Sequence, residues 1–228
     1  MYAALRNSRL RGPEANEVIG WAISTSPSRE DLKSIDDLKN TRVGVSRIGS
    51  GSYVMSFVLA EQQGWLNYAS GKKCPAPFTF HPLQNFEKLR NGVNDKTVDF
   101  FMWEHFTSKK YYDSGEIKRI GEIYTPWPSW MIVMRDHCAA YEDGSLDTMF
   151  EKLDQGVKYF EENPEESVKY ISTELDYSEE DARAWLKTVK FTSGTAGTDH
   201  EVLDKVCDLL KQAGVVDGEA DGSSMQVE

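Results

Sequence analysis

The chain has 228 residues, of which 39% are hydrophobic and 28% charged, and a formal net charge of −11. Residues 141–228 hold 22 acidic and 8 basic side chains, whereas residues 1–140 are mildly basic, a balance that argues against a nucleic-acid partner. No apolar run approaches the ~20 residues of a membrane span, and the first residues lack the apolar core of a signal peptide, so we expect no membrane partner.

The cysteines and histidines also limit the chemistry. Cys74, Cys138 and Cys207 are odd in number, widely separated and outside any C-x-x-C pattern. The four histidines show no zinc-ligand spacing, and no G-x-S-x-G elbow is present. We therefore expect a reducing compartment, the cytoplasm, with no metal site, no cofactor and no catalytic residue.

The first two thirds of the chain alternate between strand and helix patterns. Residues 17–27 ("EVIGWAISTSP") predict a strand that ends in a turn. From residue 41 to 124 the predicted strands are "TRVGVS", "FTFHPL", "VDFFMW" and "IKRIGEIY", and the helices between them are "YVMSFVLAEQQ", "NFEKLRNGVND" and "TSKKYYDSG". This βαβαβαβ order is typical of a mostly parallel sheet covered by helices.

The character of the sequence changes after "TPWPSWMIVM". Four helices are predicted, over residues 145–163, 165–176, 178–189 and 199–214. Ser145 and Ser178 are expected N-caps, and Asp181 makes an approximate capping box with Ser178. The tail 217–228 is expected to be disordered.

The stretch "GVSRIGSGSYVM", residues 44–55, resembles nucleotide-binding loops but lacks their chemistry. Ser50 stands where a P-loop needs lysine, and Val54 where a dinucleotide fingerprint needs its third glycine. What remains is a strand, a serine/glycine loop and a helix start, with Ser50 or Ser52 as N-cap. Free N–H groups there predict a site for an anion or a polar ring edge, or else the unoccupied loop of any α/β protein.

Two further segments attract attention because ligands of open α/β sheets bind beyond the carboxyl ends of the strands. Glu104 directly follows "VDFFMW" and is either a polar anchor for a ligand or the cap of the next helix. Trp127 or Trp130, in the stiff segment "TPWPSW", stacks on a planar ligand, or else both fill a core.

Two stretches, "SIDDLKNTRVGVSRIGSGSYVMSFVLAEQQGW" and "DFFMWEHFTSKKYYDSGEIKRIGEIYTPWPSW", resemble type 2 periplasmic-binding-protein-fold proteins. The similar branch contains nitrate, sulfonate and taurine solute-binding proteins and fungal thiamine-pyrimidine-synthase-like proteins, and the second stretch resembles an intracellular fungal subgroup. The resemblance covers residues from about 17 to 190. It implies an α/β fold of two lobes, with a complete βαβαβαβ lobe at 41–125 and a helical lobe from 1–40 and 126–216.

The resemblance also implies a function and a site. A small polar or heterocyclic metabolite, such as a pyrimidine precursor of thiamine, is expected in a cleft that closes by a hinge, without catalysis. Six positions match or adjoin the ligand-facing segments of the family, and Trp21 lies just before the first crossing strand; the expected contacts are Ser46, Ser50, Gly51, Ser52, Glu104, Trp127 and Trp21.

Two departures from the family leave alternatives open. Only about 16 residues precede the first crossing strand, so we expect an incomplete first lobe, as from a truncated gene model or splice form. The adjacent cysteines of the thiamine-pyrimidine synthases are missing, which disfavours but does not remove an enzyme of thiamine-pyrimidine formation. The third alternative is an inactive remnant whose helices bind a protein partner.

Overall fold

The structure is a computed structural model, and the description is confined to part of the chain. The described ranges are residues 2–7, 20–66, 77–126, 131–135, 143–175, 177–189, 191, 200–212 and 214–216. The chain divides into two compact units. Unit 1 comprises Met1–Val18, Pro126–Val206 and Ala220–Glu228, and unit 2 comprises Ile19–Thr125 and Cys207–Glu219.

Unit 2 is built on a five-stranded mixed sheet with the strand order β4-β3-β5-β2-β6. Its strands are β2 (Gly20–Thr25), β3 (Arg42–Val45), β4 (Thr79–Pro82), β5 (Phe100–Glu104) and β6 (Lys118–Tyr124). Strands β4 and β5 run parallel to β3, whereas β2 is antiparallel to both β5 and β6. Strands β3, β4, β5 and β6 therefore end at one edge, called here the carboxyl edge, and begin at the amino edge.

Three helices connect these parallel strands: α1 (Gly51–Gln62), α2 (Phe86–Asn94) and α3 (His105–Asp113). The predicted βαβαβαβ order is thus confirmed. Sequence did not predict that β2 lies between β5 and β6, because strand pairing over long sequence separations leaves no local pattern.

The core of unit 2 forms because its central elements are apolar on several sides. Phe100, Phe101 and Met102 of β5 are fully buried, as expected for a strand covered on both faces. Helix α1 buries eight of its twelve residues. It ends before Gly64, whose φ of +64° suits glycine at a helix C-terminus. The apolar face of α2 packs Leu89 and Val93 into the same core.

Unit 1 combines a strand pair with helices. Strands β1 (Tyr2–Asn7) and β7 (Met131–Arg135) pair antiparallel. Its helices are α4 (Ser145–Glu162), α5 (Pro164–Glu174), α6 (Glu179–Leu186) and the first part of α7 (His200–Gln212). Helices α5 and α6 pack through Val168, Ile171 and Ala182. The four predicted helices are confirmed to within a few residues.

Two local details differ from the sequence prediction. Strand β1 was not predicted, because "YAALRN" has no clear period-2 alternation and its pairing partner is more than 120 residues away. Ser145 is wrong as an N-cap. It is the first helical residue of α4, Gly144 precedes it with φ +74°, and the Ser145 N–H donates to the Asp143 carboxylate at 2.9 Å. Ser178 is confirmed as the N-cap of α6.

No helix among the described residues is long and apolar enough to cross a membrane.

Candidate functional site

The loop from Ser46 to Ser52 carries most of the predicted site and lies at the carboxyl edge of the sheet in unit 2. Ser50 is the N-cap of α1, and its hydroxyl accepts a hydrogen bond from the Tyr53 N–H at 3.3 Å. The Ser52 hydroxyl accepts from the Ser46 N–H at 3.2 Å and lies 3.0 Å from the Ser50 hydroxyl oxygen. Ser50 and Ser52 are both buried. These bonds hold the loop in a fixed turn at the start of the helix.

Trp21 packs directly against this helix start. A Cβ atom at Gly51 would lie 2.8 Å from Trp21 Cη2 and 3.2 Å from Cζ2, so only glycine leaves room for the indole ring. In the sheet, Trp21 pairs with Glu104 on β5 and with Ile123 on β6. The sheet therefore brings Trp21, Gly51 and Glu104 to the same edge, although more than 80 residues separate the first from the last.

Glu104 caps helix α3. Its two carboxylate oxygens accept hydrogen bonds from the N–H groups of Phe106 at 2.9 Å and Thr107 at 2.7 Å. The capping interpretation is thus confirmed, and anchoring of a ligand by this carboxylate remains a prediction. A carboxylate has about four acceptor positions, so the cap leaves Glu104 able to accept further hydrogen bonds.

Several hydrogen-bond donors at this edge have no acceptor within the described part of the chain. The backbone N–H groups of Gly51 and Ser52 belong to the first turn of α1, where no helical partner exists. The Trp21 Nε1 atom is buried and likewise makes no hydrogen bond to a described residue. A buried donor without a partner costs about 1–3 kcal/mol, so the Trp21 indole favours a ligand that brings an acceptor; Gly51 is exposed, so its N–H group can reach such a ligand or water.

The charge of the loop points in the same direction. Arg47 lies between Ser46 and Ser50, its side chain is exposed, and it pairs with no carboxylate of the described residues. The N-terminus of α1 adds a partial positive charge. Ile48, beside Arg47, is 57% exposed, which places an apolar side chain on the same loop.

The two residues that follow strand β4 make a second connection to the loop. The N–H groups of Leu83 and Gln84 donate to the carbonyl oxygens of Val45 at 2.8 Å and Ser46 at 2.9 Å. Gln84 adopts a positive φ of 75°, an uncommon conformation for a residue with a side chain. The chain thus turns away sharply just after it has fixed the end of β3.

Strand β2 is also tied to α3 behind the site. The hydroxyl groups of Ser24 and Tyr112 lie 2.6 Å apart. Burial raises the pKa of Tyr112, so its phenol stays neutral at physiological pH. This contact fixes the strand that carries Trp21.

The structure therefore brings together six of the seven predicted site residues, Ser46, Ser50, Gly51, Ser52, Glu104 and Trp21, while Trp127 lies outside the described residues. Sequence reasoning missed Arg47 and Gln84. Arg47 had a signal, because it is the only charge in "SRIGSGS". Gln84 had none, since its role depends on a backbone conformation. No cluster of three or more potential metal ligands occurs among the described residues.

Comparisons with known proteins are consistent with this geometry. A family profile described as "Ca3427-like PBP" matches residues 21–123. The Candida albicans CA3427 gene product, described as defining a new family with the generic periplasmic binding protein fold, is 40% identical with a TM-score of 0.81. The match covers 100% of this chain and 72% of that protein.

Two bacterial sulfonate-binding proteins are similar in fold alone. The aliphatic sulphonate-binding protein SsuA of Escherichia coli is 13% identical, with a TM-score of 0.67, over 99% of this chain and 72% of its own. SsuA of Xanthomonas axonopodis pv. citri, bound to MOPS, is 14% identical, with a TM-score of 0.72, over 99% and 73%. None of the curated proteins matches the chain. The predicted two-lobed α/β fold class is thus confirmed.

Proposed function

The chain belongs to the Ca3427-like family of proteins with the periplasmic-binding-protein fold, and on this premise we propose that unit 2 binds a small molecule at the carboxyl edge of its sheet. The observation that carries the proposal is a group of donors that have no acceptor among the described residues: the N–H groups of Gly51 and Ser52 and the Trp21 indole N–H. The role is that of a solute-binding protein.

The donors favour an anionic or acceptor-rich group on the ligand. Backbone N–H groups at a helix N-terminus hydrogen-bond to oxyanions and stabilise them through the helix dipole. Arg47 adds a full positive charge on the same loop. A sulfonate, a carboxylate, nitrate or a phosphate ester satisfies this set better than a cation does.

The rest of the ligand is expected to meet the other predicted residues. The Trp21 ring offers an apolar surface, and the hydroxyl groups of Ser50 and Ser52 can each act as donor or acceptor. Glu104 suits an N–H group on a heterocycle, since its oxygens accept only two hydrogen bonds in the cap. A pyrimidine precursor of thiamine that carries a phosphate would combine both requirements. The proposal also includes closure of the two lobes on the ligand by a hinge, stacking of Trp127 on the ligand, and a cytoplasmic location.

The test is a binding screen with paired tryptophan variants. The thermal unfolding of the chain is measured in the presence of each compound: sulfonates including MOPS, nitrate, pyridoxal phosphate and pyrimidine precursors of thiamine. A ligand at 100 times its Kd adds about 2.7 kcal/mol to the stability and raises Tm. Trp21→Phe keeps an aromatic side chain, but it removes the indole N–H group together with the ring atoms Cζ2 and Cη2 that lie over Gly51. We expect this variant to lose affinity for the ligand, while its free energy of unfolding falls only by the cost of the lost ring contacts with Gly51.

Trp65→Phe is the matched control, because Trp65 follows the opposite end of α1 and packs edge-on against Phe78. Its affinity should equal that of the wild type. Equal affinities of both variants would remove Trp21 from the site. No response of the wild-type chain to any compound would contradict the solute-binding proposal. Turnover of a bound compound would favour the enzyme alternative instead.

A further inference from the structure

The segment that follows helix α7 touches the candidate loop. A Cβ atom at Gly49 would lie 3.5 Å from Val215 Cγ1, an ordinary van der Waals distance, and no other non-neighbouring heavy atom of the described residues lies within 4 Å of that position. Gly49 directly precedes the N-cap Ser50 and has a φ of +77°. Val215 thus lies beside a loop glycine with a left-handed backbone, although 166 positions separate the two residues in the sequence.

The position of Val215 is fixed by the end of the helix. Gly214 adopts φ +65°, and its N–H donates to the Lys211 carbonyl at 2.9 Å. The Val215 N–H donates to the Leu210 carbonyl at 2.8 Å. This pattern resembles the glycine-terminated helix ends in which a left-handed residue reverses the chain and satisfies the last carbonyls. These hydrogen bonds fix the backbone of Val215 relative to helix α7.

The helix behind this turn is itself anchored. Cys207 and Leu209 are 2% and 5% exposed, and residues 207–219 group with unit 2. Residues 200–206 of the same helix group with unit 1.

The loop has few other restraints between Ser46 and Ser50. Arg47 and Ile48 are exposed, and the Ser50 N–H donates to the Arg47 carbonyl at 3.2 Å. Glycine with a positive φ samples more backbone conformations than any other residue. A contact at Gly49 therefore has a large influence on where Ser50 and the first N–H groups of α1 lie.

We infer that the turn Gly214–Val216 is a positioning element of the ligand site, in which Val215 restrains Gly49 and thereby orders the loop from Ser46 to Ser52. The contact makes no direct interaction with a ligand. Its ligand-dependent consequence rests on the proposed function, whereas its effect on the loop can be measured without any ligand.

The test compares Val215→Ala with the conservative variant Val215→Ile and with Leu175→Ala. Leu175 is a 51% exposed residue of unit 1, so its truncation removes a similar apolar side chain that does not belong to unit 2. Amide hydrogen exchange is followed at Ser46, Ser50 and Tyr53, whose N–H groups are bonded within the loop. The Arg42 amide, bonded to Asp99 at 2.8 Å, is the internal reference.

We expect faster exchange of the three loop amides in Val215→Ala, an unchanged reference amide, and wild-type behaviour of both Val215→Ile and Leu175→Ala. The affinity for MOPS, or for whichever screened compound binds, should fall several-fold in Val215→Ala with little change in Tm. Unchanged exchange of the loop amides would overturn the inference. Faster exchange with unchanged affinity would also overturn it, because the loop would then be ordered without positioning the site. If the wild type binds no compound, the proposed function fails and the exchange rates alone decide the inference.

Discussion

The two edges of the sheet in unit 2 are built in opposite ways. At the amino edge, the buried Asp99 accepts hydrogen bonds from the Arg42 backbone and guanidinium at 2.8–3.0 Å and forms an ion pair with Arg29. Thr25 donates to the Asp99 carbonyl at 2.7 Å, and the Lys118 ammonium donates to the Arg29 carbonyl at 2.6 Å. Polar groups at this edge are satisfied by one another.

At the carboxyl edge, by contrast, Trp21, Gly51 and Ser52 present donors that no described residue accepts. The same sheet thus has one edge where polar groups bond to one another and one edge where three N–H groups have no acceptor among the described residues. Proteins tolerate unsatisfied groups where function requires them and compensate elsewhere. The comparison predicts that changes at the amino edge alter stability and that changes at the carboxyl edge alter binding.

The largest effect on stability is expected for Asp99→Asn. The change removes the charge that neutralises Arg29 and Arg42, and it should lower the free energy of unfolding by about 2–4 kcal/mol in urea titrations at neutral pH. The affinity of the folded protein for its ligand should not change. Asp31→Asn is the control, because the Asp31 carboxylate pairs with the same Arg29 but is 62% exposed, and its effect should be much smaller. Comparable losses in both variants would contradict the buried network.

The same network should produce a pH dependence. Burial by itself raises the pKa of Asp99, but hydrogen bonds from Arg42 and Arg29 outweigh this and hold the pKa well below its usual range. The stabilisation is therefore fully present above the unfolded pKa of about 3.9 and is lost as the pH falls below it. The difference in unfolding free energy between the wild type and Asp99→Asn should shrink by up to about 1.4 kcal/mol per pH unit there. A difference that stays constant from pH 7 to about 3 would contradict this assignment.

Gly51→Ala tests the close approach of Trp21 to the helix. Alanine usually stabilises a helix, but here its Cβ would lie 2.8 Å from Trp21 Cη2, so a loss of about 1–2 kcal/mol is expected, together with weaker binding. A Cβ atom at Gly156 in α4 meets no atom of the described residues within 4 Å, so Gly156→Ala should raise the free energy of unfolding by about 0.5–1 kcal/mol. Thermal unfolding of both variants measures the contrast, and a gain at Gly51 would show that the ring does not pack there.

Ser50→Ala should lower the free energy of unfolding less than Asp99→Asn or Gly51→Ala does. Loss of the N-cap bond to Tyr53 is expected to cost about 1 kcal/mol. Ser178→Ala removes the matching cap of α6 in unit 1, where the Asp181 N–H donates to Ser178 at 3.0 Å, and should cost the same. Only Ser50→Ala should also lower the affinity for the ligand. Equal binding by both cap variants would exclude the Ser50 hydroxyl from the site.

Much of this fold could be predicted from sequence because its signals are local. The apolar run through Phe100–Met102, the cap at Ser50 and the glycine at Gly64 each follow from neighbouring residues. The two alternative roles of Glu104 could also be stated from the sequence. Only the hydrogen bonds from the N–H groups of Phe106 and Thr107 showed that it caps α3.

The remaining features depend on contacts between distant residues. The insertion of β2 beside β5, the space for Trp21 over Gly51, and the contact of Val215 with Gly49 join segments about 30 to 170 positions apart. No periodicity or motif encodes such contacts. The loop and Glu104 were predicted as site residues from their places after strands and from the resemblance to a known family, whereas neither argument pointed to Arg47 or Val215.

The most direct test of the account is a two-dimensional ¹⁵N–¹H NMR titration of the wild-type chain with each compound of the screen, beginning with MOPS. We predict saturable shifts of the Trp21 indole N–H and of the Gly51 and Ser52 amides, while the Arg42 amide at the amino edge stays unchanged. Saturable binding that shifts other residues and leaves these three N–H groups in place would contradict the claim that the unpaired donors of the carboxyl edge form the ligand site.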